Sequence, residues 1–137
     1  MGGNRTELIR AAQSDMEREK RILIIDDEQH IIKIIKKTLR KDSYCIDNAK
    51  NGLEALKILE KNMPDLIILD MKMPVMNGYE FLGRLKGNVK CVDIPIIILT
   101  GYDVDMDKIE SIGSTPLEVL HKSGCFDAMA GMIKEFL

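Results

Sequence analysis

Cysteine is scarce and unpatterned in this chain: Cys45, Cys91 and Cys125 are odd in number, widely spaced and free of any C-x-x-C pair. That spacing argues against a secreted disulfide framework and against a zinc site, and the three are read as small buried hydrophobes. Histidine is scarcer still. His30 and His121 have no second nitrogen or sulfur ligand at metal spacing, so they are read as a solvated first-helix residue and a strand-end residue. Long hydrophobic runs are missing too. The longest apolar stretch, Ile94 to Leu99, contains Pro95 and is far too short to cross a bilayer, and no signal-peptide pattern opens the chain, so a cytoplasmic, reducing location without membrane contact is expected. Nor is there an excess of one charge. A formal net charge of −2, with acids and bases interspersed, provides no basic face for phosphate contacts, and direct nucleic-acid binding is not expected.

What is present fits one domain. A chain of 137 residues can bury roughly two-thirds of the surface its unfolded form exposes, so it needs no staple to fold. Residues 1–20 are charged and helix-prone, with a thin apolar line through Leu8, Ala12 and Met16 that is too narrow to make a core. An interdomain linker, an added helix and a dimer contact are all compatible with that pattern. From Arg21 onward short β-branched runs alternate with amphipathic segments, which predicts a parallel sheet covered by helices on both faces. The predicted strands are Arg21–Asp26, Tyr44–Ala49, Asp65–Asp70, Ile94–Thr100 and Pro116–His121. Between and after them, Ile31/Ile34/Ile35/Leu39, Leu53/Leu56/Leu59, Phe81/Leu82/Leu85, Met106/Ile109/Ile112 and Phe126/Met129/Ile133/Phe136 recur at helical intervals. Five βα units with right-handed crossovers make an open doubly wound α/β sheet, whose ligand site lies at the carboxyl ends of its strands.

Capable side chains stand at those ends. Asp26 and Asp27 close the first strand, where hard carboxylate oxygens suit Mg²⁺ or Mn²⁺; helix capping is the alternative use of the same two acids. Asp70 closes the most apolar strand, Leu66-Ile67-Ile68-Leu69. Three carboxylates held together raise one another's pKa unless a cation neutralises them. Thr100 adds a hydroxyl and Lys122 a positive charge, a set that could surround a phosphoryl group while a carboxylate attacks phosphorus.

These residues sit in longer matching segments: Ile24-Ile25-Asp26-Asp27-Glu28, Ala49-Lys50-Asn51-Gly52-Leu53-Glu54-Ala55-Leu56, Pro64-Asp65 through Asp70-Met71-Lys72-Met73-Pro74-Val75-Met76-Asn77-Gly78-Tyr79-Glu80, Ile94-Pro95 through Thr100, and Lys122. Residues 21–137 thereby resemble the receiver domain of two-component response regulators, and the intervals of 30 residues from Asp70 to Thr100 and 52 to Lys122 are similar to the family's. The resemblance implies a flavodoxin-like (βα)5 fold with strand order 2-1-3-4-5. It further implies that Asp70 is the phospho-acceptor, that Asp27, Asp70 and the backbone carbonyl of Lys72 ligate Mg²⁺, and that Asp26 holds a coordinated water. Lys122 would pair with a phosphoryl oxygen and Thr100 would carry a conformational switch. The implied donor is a sensor histidine kinase or a histidine phosphotransfer protein, and the implied output a downstream effector protein, with a homodimer as a further partner. Such a domain signals and does not turn over a metabolite.

Three positions depart from the family's pattern. Val119 stands where an aromatic is common three residues before the lysine, which leaves Tyr102 as a candidate to share the switch. Ser123 replaces a proline, and Gly113-Ser114-Thr115-Pro116-Leu117 replaces the usual small and acidic turn. A pseudo-receiver, a constitutive interaction module on the same fold, is the competing reading. A hydrolase with an aspartyl nucleophile is the second, but it would want a general acid two residues after Asp70, where Lys72 stands.

Overall fold

The computed structural model describes residues 19–101, 104–112, 117–122 and 126–137. Five strands, β1 (Arg21–Ile25), β2 (Cys45–Ala49), β3 (Leu66–Leu69), β4 (Ile96–Thr100) and β5 (Leu117–His121), alternate with five helices, α1 (Gln29–Thr38), α2 (Gly52–Lys61), α3 (Gly78–Lys86), α4 (Met106–Ile112) and α5 (Phe126–Phe136). The strands form one sheet in the order β2-β1-β3-β4-β5, every neighbouring pair parallel, as the resemblance implies. Among the described residues, no helix is long and apolar enough to cross a membrane.

Alternation along the strands divides the core into two. Leu23, Ile25, Ile67, Leu69, Ile96 and Ile98 face Ala55 and Leu59 of α2, Phe81 and Leu85 of α3 and Ile109 of α4. Ile22, Ile24, Leu66, Ile68, Ile97 and Leu99 point the other way, onto Ile31 and Ile35 of α1 and Met129 and Ile133 of α5. A strand buried on both faces reads as a continuous apolar run, which is why β1, β3 and β4 contain almost nothing else. The helical repeats are less regular than the sequence suggests. Ile34 is 40% exposed, because the buried line of α1 runs through Ile31, Ile32 and Ile35, and Leu53 in the first turn of α2 also faces outward.

Each predicted strand is one or two residues longer than the observed one. Asp26 and Asp70 lie just past their strands yet remain in the ladder: Asp26 donates its N–H to Ala49 O at 3.0 Å and Asp70 donates to Ile25 O at 2.9 Å. Lys122 N likewise donates to Thr100 O at 2.9 Å. These bonds place the polar residues at one edge of the sheet. The helices that follow start on firm caps. Asn51 accepts from Glu54 N at 2.8 Å, and Asn77 forms a reciprocal capping box with Glu80.

Among the described residues, the connection from β3 to α3 holds the one non-glycine residue with positive φ. Val75 has φ +67°, the left-handed region in which a β-branched residue is strained, and its side chain is 74% exposed, so little packing offsets the cost. Val75→Gly is expected to stabilise the protein by about 1 kcal/mol despite the added chain entropy, seen as a higher urea midpoint at unchanged slope. Three residues on, only glycine fits. A Cβ on Gly78 would stand 2.7 Å from Met71 Cα and 2.9 Å from Asp70 O, so the start of α3 is packed directly on the backbone of Asp70.

The cysteine reading holds for Cys91, which is buried, and in part for Cys45, which is half-buried. Cys125, Tyr102, Ser123, the segment 113–116 and the N-terminal residues 1–18 lie outside the described residues.

Candidate functional site

The sheet edge at the carboxyl ends of β1 and β3 gathers four acids. Asp26, Asp27, Glu28 and Asp70 each offer a carboxylate oxygen, and these atoms all lie within 4.8 Å of one another. Asp26 and Asp70 are only 2% and 3% exposed, whereas Asp27 reaches solvent. A buried carboxylate gives up its hydration, so the site needs positive charge.

Lys122 supplies it from the end of β5. Its Nζ lies 2.7 Å from Glu28 Oε1, 3.0 Å from Asp26 Oδ2 and 3.4 Å from Asp70 Oδ2, with a side chain only 11% exposed. Burial works against the Lys122 ammonium, but hydrogen bonds to Glu28 and Asp26 and the charges of Asp26 and Asp70 outweigh it, and its pKa is raised. The same contact holds the Glu28 carboxyl below its ordinary value. Desolvation pushes Asp26 up, against the hydrogen bonds it accepts from Glu28 N and Lys122. Asp70 is pushed up to about 6, by burial first and by the neighbouring Asp26 charge second.

Sequence reasoning named Asp26, Asp27, Asp70 and Lys122, and the structure brings all four together. It missed Glu28, the third acid of the Asp26-Asp27-Glu28 run, whose only signal was that adjacency. The capping alternative for the acid pair does not hold. Glu28 is the N-cap residue of α1 and makes no side-chain cap, while Asp26 Oδ1 turns back to accept from Glu28 N at 2.9 Å. Asp26 thus keeps Oδ2 toward Lys122, and Asp27 lines the opening to solvent.

Thr100, fully buried, closes β4 one position beyond the level of Asp70 in the sheet register. It lines a cavity of about 320 Å³ with Met71, Met73, Tyr79 and Val104, and the exposed Lys72 borders the same space. Lys72 N donates to Asp70 Oδ1 at 3.4 Å, which turns the β3–α3 loop around the acid. A second opening of about 360 Å³, lined by Asp27, Glu28, Lys72, Met73 and Pro74, connects the acids to solvent. Tyr79, another residue unmarked in the sequence, accepts at its hydroxyl from Asp105 N at 2.9 Å and lies under Lys108 Nζ, 4.5 Å from the ring centre. Both contacts fasten α4 to α3. His30 is exposed on α1, His121 is exposed at the end of β5, and Val119 is half-buried against the α2–α4 core.

The donor set is all hard oxygen, so it fits Mg²⁺ or Mn²⁺ far better than a soft metal. Buried acids at a parallel-sheet edge, a lysine and a threonine at neighbouring strand ends and an opening to solvent make a site suited to receiving an anionic group onto a carboxylate.

Known proteins resemble this chain in sequence and fold. The family model described as the response regulator receiver domain matches residues 22–134. Sporulation initiation phosphotransferase F of Bacillus subtilis is 43% identical over 88 residues, which span 64% of this chain and 69% of that protein. The probable transcriptional regulator ycf27 of Guillardia theta is 36% identical over 103 residues, 75% of this chain but 39% of the relative. This chain thus spans well under half the length of that regulator. Among solved structures, response regulator protein TrrA from Thermotoga maritima in complex with Mg(2+)-BeF superposes with a TM-score of 0.73 at 37% identity, covering 86% of this chain and 99% of that one. With a family match across residues 22–134, a sheet of the expected strand order and the acids, threonine and lysine at the strand ends, this chain belongs to the response-regulator receiver domains of two-component systems.

Proposed function

We propose that the chain is a phosphorylation-controlled signalling module in which Asp70 accepts a phosphoryl group from a phosphohistidine on a sensor kinase or a phosphotransfer protein. The observation that carries this reading is the Asp70 carboxylate itself, 3% exposed, 3.4 Å from the Lys122 ammonium and among three further carboxylates. One Asp70 oxygen forms a bond to phosphorus as the bond from phosphorus to the donor nitrogen breaks, and the imidazole leaves with the electron pair. Lys122 pairs with a phosphoryl oxygen, and the Thr100 hydroxyl donates to another.

Asp26, Asp27, Asp70 and the carbonyl of Lys72 would hold Mg²⁺, with Mn²⁺ a substitute of the same preference. The cation, when bound, offsets the repulsion among the carboxylates and the negative charge of the incoming group. The Mg(2+)-BeF complex of TrrA supports the choice of ion. The group on Asp70 then alters affinity for a downstream effector, without turnover of a metabolite, in the cytoplasm; a homodimer contact fits the same role.

Intact mass after incubation with Mg²⁺ and acetyl phosphate tests this for the parent chain and for Asp70→Asn. One added phosphoryl group in the parent alone is expected. No gain in either chain would reassign the domain as a constitutive interaction module. Metal linkage gives a second readout. At one hundred times its dissociation constant Mg²⁺ should add about 2.7 kcal/mol of stability, and Asp27→Asn should remove most of that gain; a melting midpoint indifferent to Mg²⁺ would count against the ion.

A further inference from the structure

Of the acids gathered at the sheet edge, Glu28 is the one to which the proposed reaction gives no task. It is also an unusual choice where it stands. Glu28 is the N-cap residue of α1, a position where Ser, Thr, Asp or Asn would bond the first free amides, and its side chain makes no such cap. The carboxylate reaches instead to the end of β5, where Oε1 accepts from Lys122 Nζ at 2.7 Å.

The three contacts of Lys122 are unequal. Glu28 at 2.7 Å and Asp26 at 3.0 Å lie within hydrogen-bond distance, whereas Asp70 at 3.4 Å is the most distant. The ammonium is thus held toward the start of α1 and away from the acceptor. To meet a phosphoryl oxygen on Asp70 it has to move toward Asp70, and one of its two shorter bonds has to lengthen. Asp26 is the costly partner to release, because its carboxylate is almost fully buried and would be left without its cation. Glu28 is the easy one. Its side chain is 41% exposed, so water rehydrates it, and its other oxygen already lies 3.4 Å from Nε2 of the exposed His30.

We propose that Glu28 is a positioning residue that restrains phosphoryl acceptance: it competes with the incoming phosphoryl group for Lys122 and gives the ammonium up when Asp70 is modified. The inference rests on Asp70 being the acceptor and adds a control on the rate of that same step. Glu28 acts through Lys122 and takes no part in bond making or breaking. Such a restraint has a distinctive sign, since removing it speeds the reaction, whereas damage to a purely structural contact slows it.

Glu28→Gln keeps the shape of the side chain and removes its charge. At saturating Mg²⁺ the variant should be phosphorylated by acetyl phosphate roughly tenfold faster than the parent, read by intact mass over time, and should bind beryllofluoride, an unreactive phosphoryl analogue, with a correspondingly lower Kd. Glu28→Asp separates this from plain charge repulsion. Aspartate keeps the charge but is one methylene shorter and, as a favoured N-cap, turns to the helix amides, so it too should be faster than the parent. In a Lys122→Met background Glu28→Gln should have no effect. A Glu28→Gln rate at or below the parent's would overturn the proposal. So would Glu28→Asp at the parent's rate, or an acceleration that survives in Lys122→Met, either of which would assign the effect to repulsion of the incoming anion. Roughly tenfold weaker Mg²⁺ binding by Glu28→Gln, read from the melting midpoint against Mg²⁺, would place Glu28 on the metal instead. A parent chain that takes up no phosphoryl group at all would overturn the acceptor role of Asp70 itself, a failure distinct from these.

Discussion

Asp70→Asn is expected to make the metal-free protein more stable at neutral pH, by about 2–3 kcal/mol, read as a higher denaturant midpoint. The reason is electrostatic. Burial and Asp26 push the Asp70 carboxyl up to about 6, above its ordinary 3.8, so the folded state holds a charge at pH 7 that the unfolded chain carries more easily. Its contribution to stability is therefore fully present below the ordinary carboxylate pKa and is lost as pH rises through about 6. Asparagine never ionises, and the gap between the two proteins should close as the pH is lowered toward 4. Mg²⁺ should narrow it at pH 7 by favouring the parent's carboxylate. Lys122 keeps Asp26 and Glu28 as partners in the variant, so no cation is stranded. A gap that persists unchanged at low pH would mean that something other than the Asp70 charge sets it.

Lys122→Met should act in the opposite direction and strongly. Methionine keeps most of the stem's volume but removes the ammonium that touches Asp26, Glu28 and Asp70. Two of those carboxylates are almost fully buried, and removing the partner of a buried ion costs roughly 3–5 kcal/mol. Equilibrium unfolding without metal should show that loss at pH 7. Lowering the pH should relieve it, because protonation of Asp70 and Asp26 removes the unpaired charge. The combination Asp70→Asn with Lys122→Met should lose markedly less than Lys122→Met alone, since one of the stranded carboxylates is gone. Simple additivity would show that Lys122 acts through packing of its stem. Phosphorylation of Asp70 should also be impaired in Lys122→Met, as the incoming phosphoryl group would meet carboxylates with no fixed cation beside them.

Tertiary structure revised some residues that the pattern had placed confidently. Ile34 and Leu53 read as core positions because they are apolar and at helical intervals, yet each sits to one side of the line its helix buries. Spacing alone fixes an amphipathic face only to within about a third of a turn. Val75 is the reverse case: nothing in Met73-Pro74-Val75-Met76 announces a left-handed residue, yet its φ is +67°. Nor does the sequence mark Tyr79 as the residue whose hydroxyl accepts from Asp105 N just before α4.

By itself the sequence determined the five βα units, the doubly wound class and the polar residues at the strand ends. It could do so because strands buried on both faces leave unbroken aliphatic runs, and Asp26, Asp70 and Thr100 are conspicuous where those runs stop. Only the tertiary structure decided how charge is shared there. Glu28 belongs to the cluster because α1 begins just after it and Lys122 arrives from the end of a strand, 94 positions away. Burial, which raises Asp70 and Asp26, and the distances that bind Lys122 to three acids at once depend on strands β1, β3, β4 and β5 lying side by side, a long-range order that no local pattern of residues encodes.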